Sequence, residues 1–441
     1  MFGCHLGRLF GVTIAGGSYQ EGLSAIIQGV PSGTAFTEQE IYGDLLLRKP
    51  GADELSSPRK EPDLPVIFTG LNSADTIENA GNKNRTNGTP VTILIPNLDR
   101  HFIHIKQYQD TNRTPRPGHA SYASFSKYGP DDDAIGAGIF SGRYTSAIVA
   151  AGYIAKKILS NCGIKVFSFV REMAGVTCPE IDYTEAYRIT EAYKKMRCDY
   201  DPFYQEIYVK NRITMEMRFL EKMRIFTQIE NEIDAIREKA PVMNQKEIMD
   251  NYKIHPVLNC PDIDAAQSMV DAVNKISSTG DSAGGVVEVV AQGVPAGLGE
   301  PVFYKLDAEL GKMLGIGAVK GVEIGAGFKV KDMTGYESND RMHSENGKVI
   351  FESNNAGGIT GGLATGQDIV VRLAVKPTPT IDKKQNTIDK YTLENKELAA
   401  ITRRDPTIVA RIWPVAENYT SLVLLDHLIA HYGYQMLRKK M

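Results

Sequence analysis

Cysteine is scarce in this chain and none of it is paired by spacing. Cys4, Cys162, Cys178, Cys198 and Cys260 are scattered, odd in number and free of any C-x-x-C motif, so neither a disulfide framework nor a zinc site is indicated, and no metal is expected. Such usage points to a reducing, cytoplasmic location. Long apolar runs are also missing: none approaches the roughly 18–20 residues of a membrane helix. The opening M-F-G-C-H-L-G-R-L-F-G-V-T-I alternates like a strand and lacks the charge-then-apolar layout of a signal peptide. Neither sign of charge dominates, since 50 Lys and Arg against 53 Asp and Glu leave −3, which argues against bulk attraction to nucleic acid or to an anionic membrane. Nucleotide fingerprints are absent too. There is no G-x-x-x-x-G-K-[ST], and no G-x-G-x-x-G opening a helix with an acid downstream.

What is present is ordinary globular composition, 42% apolar and 23% charged over 441 residues, enough for a large core. Two internal echoes stand out. Q-G-V-P-S-G (28–33) recurs as Q-G-V-P-A-G (292–297), each after a strand-like run, S-A-I-I and G-G-V-V-E-V-V-A. Y-T-S-A-I-V-A-A-G-Y-I-A (144–155) is echoed by Y-T-S-L-V-L-L-D-H-L-I-A (419–430), both with helical apolar spacing. The nearly equal offsets, 264 and 275 residues, imply a duplicated strand–turn–helix plan with two similar halves about a pseudo-twofold axis. Between the halves, 183–239 contains no glycine, and 215–239 reads as one long amphipathic helix. A helical insertion is therefore expected over about 180–250. The Gly/Asn-rich stretch 79–89 reads as a loop, as does K-P-T-P-T-I-D-K-K-Q-N-T-I-D-K (376–390) on account of its spaced prolines.

Six short segments carry the candidate chemistry. I-A-G-G-S-Y-Q-E-G (14–22) presents Ser18 and Tyr19 from a tight turn. R-P-G-H-A-S-Y (116–122) puts His119 after a Pro-Gly turn. G-A-G-I-F-S-G-R-Y-T-S (136–146) and S-N-N-A-G-G-I-T-G-G (353–362) are Gly-rich loops, and K-P-T-P-T (376–380) and T-R-R-D-P (402–406) follow. Glycine-rich backbone admits an anion or a flat ring at close approach, and Lys376 beside threonine hydroxyls suits a phosphate.

Taken in this order, the segments resemble the chorismate synthase family. The likeness is carried by R-P-G-H-A with K-Y-G, A-A-G-Y-I-A-K-K-I-L (150–159), G-D-S-A-G-G-V-V-E-V-V-A-Q-G-V-P-A-G-L-G-E-P-V-F (280–303), A-V-K-G-V-E-I-G (318–325), N-N-A-G-G-I-T-G-G, and P-V-A-E with D-H-L. The resemblance implies an α/β (α+β) fold, a single large β-α-β sandwich over 1–441 with two pseudo-repeated halves and the helical insertion, assembled as a homotetramer. It implies a carbon–oxygen lyase of aromatic biosynthesis that removes phosphate from enolpyruvylshikimate phosphate by anti 1,4-elimination to give chorismate. Reduced FMN would be the cofactor and NADPH a candidate reductant, used either by the protein itself or by an external reductase.

Carried over by motif, the resemblance gives His119 as proton partner of the flavin and Asp405 as the carboxylate assisting it, with Ser18 and Tyr19 in the turn that faces the leaving phosphate. Flavin contacts would come from Ser141, Gly142, Gly317, Ala318, Gly361, Lys376, Pro377, Thr378, Pro379, Thr380 and Arg403, and substrate contacts from Arg48 and Arg143. The chain also departs from the pattern. Tyr19 replaces a histidine, and a phenol is a weaker acid than imidazolium. Arg404 replaces another histidine. Leu47, Lys49, Glu54, Ile135 and Ile139 stand where the family has arginines. Glu54 is expected to repel the anionic ligand, and Arg404, Lys49 and Arg59 are the cations available to refill the site. Three readings stay open on sequence alone: a working enzyme of this type, a paralogue that keeps the flavin but takes a less anionic substrate, and a non-catalytic flavin-binding or structural protein.

Overall fold

A computed structural model describes residues 3–51, 54–56, 59–72, 83–99, 106, 112–239, 244–398 and 405–439. The first half begins with strands β1 (His5–Leu6), β2 (Val12–Gly16) and β3 (Gly22–Ile27), then helix α1 (Glu38–Arg48), β4 (Val66–Thr69) and β5 (Val91–Pro96). Burial alternates along β5, so one face of its period-two pattern meets the core. These five strands form one antiparallel sheet in the order β1-β2-β3-β5-β4. The short helix α2 (Ser121–Tyr128) and the long helix α3 (Thr145–Asn161) close this half.

The second half supplies β6 (Lys165–Met173) and β7 (Val176–Thr177), followed by four helices, α4 (Tyr183–Tyr200), α5 (Phe219–Glu238), α6 (Gln245–Tyr252) and α7 (Ile263–Ser278). After β8 (Gly285–Gln292) come α8 (Leu306–Gly311), β9 (Val319–Ile324) and α9 (Gly335–Ser338). Hairpins β10 (Met342–Glu345)/β11 (Lys348–Phe351) and β12 (Ile359–Thr360)/β13 (Leu363–Ala364) precede β14 (Ile369–Val375). Hairpin β15 (Gln385–Ile388)/β16 (Asn395–Leu398) and helix α10 (Val409–Arg438) complete the chain. Strands β7-β6-β8-β14-β9 make a second antiparallel sheet.

The expected duplication is visible in the connectivity. Four strands in chain order pair as first-second-fourth-third in both sheets, β2-β3-β5-β4 and β6-β8-β14-β9. The repeated Gln-Gly-Val-Pro motif leaves the central strand of each sheet, and its glycines adopt matching left-handed conformations. Gly29 and Gly293 both have φ 77°, and Gly33 and Gly297 have φ 83° and 85°, a region that side chains disfavour. Helices α3 and α10 begin at 145 and 409, the same 264-residue offset as the motif. The second echo lies on this helix pair but is displaced: Tyr144 precedes α3, whereas Tyr419 is ten residues past the first residue of α10.

Helices α1, α3 and α10 fill the space between the sheets, α3 packing on β3 and β5 and α10 on β6 and β8. That position explains why almost every residue of α10 from Val409 to Leu428 is buried, since a helix apolar on all sides has no solvent face. α3 and α10 cross closely at Gly152, where an added Cβ would lie 2.4 Å from the Asn418 Cβ.

The expected helix over 215–239 is observed as α5, four residues shorter at its start, because a turn closed by the Met217 N–H on the Thr214 carbonyl (3.3 Å) delays its entry. It lies beside β4, with the Phe219 ring edge-on to Phe68 (centroids 4.8 Å) and Lys222 ion-paired to the buried Glu38 at 2.6 Å. The 376–390 stretch is only partly a loop: its prolines precede Gln385–Ile388, which pairs as β15. Residues 79–82 of the Gly/Asn-rich stretch lie outside the described residues, while Arg85 and Thr86 bridge to Ala35 and Leu71.

Candidate active site

A cleft of about 1510 Å³ opens where turns of both halves meet. The β2–β3 turn, the His119 turn and the Gly-rich segment before α3 come from the first half. Gly315–Lys320, the Lys376–Thr380 segment and Asp405 come from the second.

The Gly-rich segment lies against the β2–β3 turn. The Ser18 N–H donates to the Gly138 carbonyl (3.3 Å), and the Tyr19 ring covers Gly136 so closely that a Cβ there would sit 2.3 Å from it. Gly136 also has φ 57°, so both space and backbone require glycine. The buried Ser18 Oγ has no hydrogen-bond partner among the described residues. The Arg59 guanidinium lies 5.7 Å from the Tyr19 ring centroid, within cation–π range.

His119 follows the Pro117-Gly118 turn, with Gly118 at φ 70° and the His119 N–H on the Arg116 carbonyl (3.2 Å). Burial, with Arg116 and Lys376 adding repulsion, pulls its imidazole down to about 3, so the ring is neutral near pH 7. Its Nδ1 is buried without a partner among the described residues. The Lys376 ammonium donates to the Gly118 carbonyl, and the Arg116 guanidinium reaches the Thr380 hydroxyl at 3.4 Å. Thr378 Oγ1 donates to the Asp405 carbonyl (2.7 Å), and the Asp405 carboxylate pairs with Arg411 at 2.5 Å. These bonds join the His119, Lys376 and Asp405 segments at one wall.

Arg48 and Arg143 line the same cleft and converge on the fully buried Asp63. Arg48 meets it at 2.8 Å; Arg143 also contacts Glu61 (3.3 Å), the Pro96 carbonyl (3.3 Å) and Asn97. Burial lowers Arg48 to about 10, which keeps it cationic at pH 7, while Asp63 is held below the usual carboxylate range by the two guanidiniums despite its burial. Both arginines are thus fixed in place before a ligand arrives.

Ser18, Tyr19, Arg48, His119, Ser141, Gly142, Arg143, Gly317, Ala318, Lys376, Thr378, Pro379, Thr380 and Asp405 all border the cleft. Pro377 and Gly361 do not. Pro377 packs its ring toward Gly284, and Gly361 sits in the β12–β13 turn. Arg403 and Arg404 lie outside the described residues. Two expectations about charge are corrected. Glu54 does not border the cleft but accepts from Asn274 of α7 (3.2 Å), so its negative charge does not face the ligand space. Lys49 does not refill the site, because it points into the core, where it pairs with Asp201 and donates to the Tyr42 hydroxyl (3.0 Å). Arg59 does border the cleft, as does Ile139, whereas Leu47 is core.

Sequence reasoning did not single out Arg116, Lys320 or Arg411 as site residues. Arg116 lay within the quoted R-P-G-H-A motif, while Arg411, six positions beyond Asp405, carries no local signal. Among the described residues, ten lysine and arginine side chains border the cleft against four carboxylates. Such an excess concentrates positive potential in a confined space.

The arrangement is a cation-rich cleft with a neutral imidazole, a hydroxyl-bearing turn and glycine-rich walls, a lining suited to anionic small molecules. The chain belongs to the chorismate synthase family, whose profile matches residues 10–429. It is 38% identical to the chorismate synthase of Acetivibrio thermocellus over 99% of this chain and 97% of that protein, and 37% identical to that of Methanosarcina mazei over 97% of each. A crystal structure of chorismate synthase shares the fold, with a TM-score of 0.61 at 23% identity, covering 96% of this chain and 92% of that one. Membership makes this chain a lyase of the chorismate synthase type.

Proposed function

We propose that this cleft holds reduced FMN together with enolpyruvylshikimate phosphate and expels phosphate in an anti 1,4-elimination to give chorismate. The observation that carries this reading is the convergence of the His119, Lys376 and Asp405 turns on one cleft rich in cations. Buried Ser18 Oγ and His119 Nδ1 at its wall, without partners among the described residues, fit a ligand that supplies the missing hydrogen bonds. Gly317, Ala318, Ser141, Gly142 and the Lys376–Thr380 segment would hold the flavin, whose reduced ring would supply electron density and a base for the ring proton of the substrate. Arg48, Arg143 and Arg59 suit the substrate's carboxylates and phosphate, because guanidinium groups meet such oxygens in bidentate fashion. His119, neutral in the ligand-free cleft, can take up a proton once bound anions favour its charged form, and Asp405, held by Arg411, is the carboxylate at the same wall. Ser18 and the Tyr19 phenol are the donors placed for the departing phosphate.

In the same reading the protein works in the cytoplasm, with NADPH as the source of reducing equivalents, and among the described residues no helix is long and apolar enough to cross a membrane. Homotetramer assembly is part of the proposal, supported by exposed apolar side chains such as Phe303 and Phe328. The test is anaerobic turnover of purified protein with chemically reduced FMN and enolpyruvylshikimate phosphate. Phosphate and chorismate are expected in equal amounts. Tight flavin binding with no product would shift the assignment to a paralogue with another substrate.

A further inference from the structure

Six segments of the two halves meet at the cleft, and one side chain bridges two of them, one from each half. Tyr144 ends the Gly-rich segment, immediately before α3. Its hydroxyl accepts from the Gly317 N–H at 2.8 Å and donates to the Gly315 carbonyl at 3.0 Å. One phenol oxygen therefore satisfies a backbone donor and a backbone acceptor two residues apart, which demands that it be neutral. Burial raises its pKa above that of an ordinary tyrosine, consistent with that state.

The bridged loop is not self-supporting. Ala318, next in the chain, has φ 72°, a conformation unfavourable for a residue with a side chain. Its carbonyl accepts from the Lys376 N–H at 2.9 Å, and the Lys376 ammonium in turn holds the Gly118 carbonyl beside His119. A continuous run of hydrogen bonds thus leads from Tyr144 through the Gly315–Ala318 loop and the Lys376 turn to the His119 turn.

We propose that Tyr144 is a positioning residue for flavin binding: its hydroxyl fixes the Gly315–Ala318 loop, and through it the Lys376 turn, in the shape that receives the flavin. This rests on the reading that those segments hold FMN. Tyr144→Phe keeps the ring and removes both bonds. Three measurements decide the matter: hydrogen exchange at the Gly317 amide, FMN affinity by quenching of flavin fluorescence, and kcat at saturating reduced FMN. Faster Gly317 exchange, a dissociation constant raised about 5–30-fold as for one or two lost hydrogen bonds, and a much smaller change in kcat are expected. Unchanged exchange and affinity would overturn the proposal. So would a large fall in kcat with affinity intact, which would put the phenol on the reacting groups. If the variant does not fold, the wild-type Gly317 amide decides: protection supports the bridge, and exchange at the rate of a free loop overturns it. A wild-type protein that binds no FMN would instead refute the flavin reading, while Gly317 protection would still report the bridge itself.

Discussion

The imidazole of His119 shows how position sets chemistry. A histidine after a Pro-Gly turn is ordinary in sequence, and its reference pKa near 6.5 would leave it partly charged in the cell. Here burial and two flanking cations depress that value to about 3. As the pH falls through 6.5, the unfolded chain takes up a proton that the folded site refuses, so this residue's contribution to stability is present above 6.5 and is lost toward 3. Proton NMR of the free protein should show the His119 ring resonance flat between pH 5 and 8. A midpoint near 6.5 would show that the ring is not buried beside Arg116 and Lys376. The motif made His119 legible in the sequence, but not its charge state, which depends on burial in the folded cleft and, less, on neighbours such as Lys376, 257 positions away. Lys49 and Glu54 teach the same lesson with opposite sign. Their types suggested a refilled or repelled anion, yet Lys49 turns into the core toward Asp201 and Glu54 toward Asn274. Which way a side chain on α1 or a following loop points is a tertiary property.

At the scale of elements, the duplication was the most legible feature, and for a local reason. Glycines at matched left-handed positions, Gly29 with Gly293 and Gly33 with Gly297, cannot be replaced without strain, so both copies of the motif retain them. The helical echo was less faithful, because buried helices α3 and α10 need apolar surface but not a fixed register of residues. Where the two helices touch, the requirement becomes specific again. A Cβ at Gly152 would lie 2.4 Å from the Asn418 Cβ and 2.6 Å from its carbonyl oxygen. Gly152→Ala should therefore force the central layer apart and destabilise the protein by about 1–3 kcal/mol, despite alanine's better helix propensity. Thermal or urea denaturation checks this; an unchanged or raised midpoint would mean that the helices can separate at little cost.

For the whole molecule, the two halves matter because neither holds the site alone. The first brings His119, Tyr19, Arg48 and Arg143, and the second brings Lys376 and Asp405. A chain of net charge −3 thereby gathers, among the described residues, ten cations against four carboxylates in one cleft, a segregation that composition hides. The central claim is that His119 and Asp405, one from each half, serve a single reaction there. The decisive measurement is kcat of the His119→Ala/Asp405→Ala double variant at saturating reduced FMN, set beside the two single variants. If each single change costs about 10²–10⁴-fold, as for a lost acid–base group, the double variant should be little slower than the worse single, because groups that act together are not lost twice. Losses that multiply would show two independent contributions and contradict the shared site.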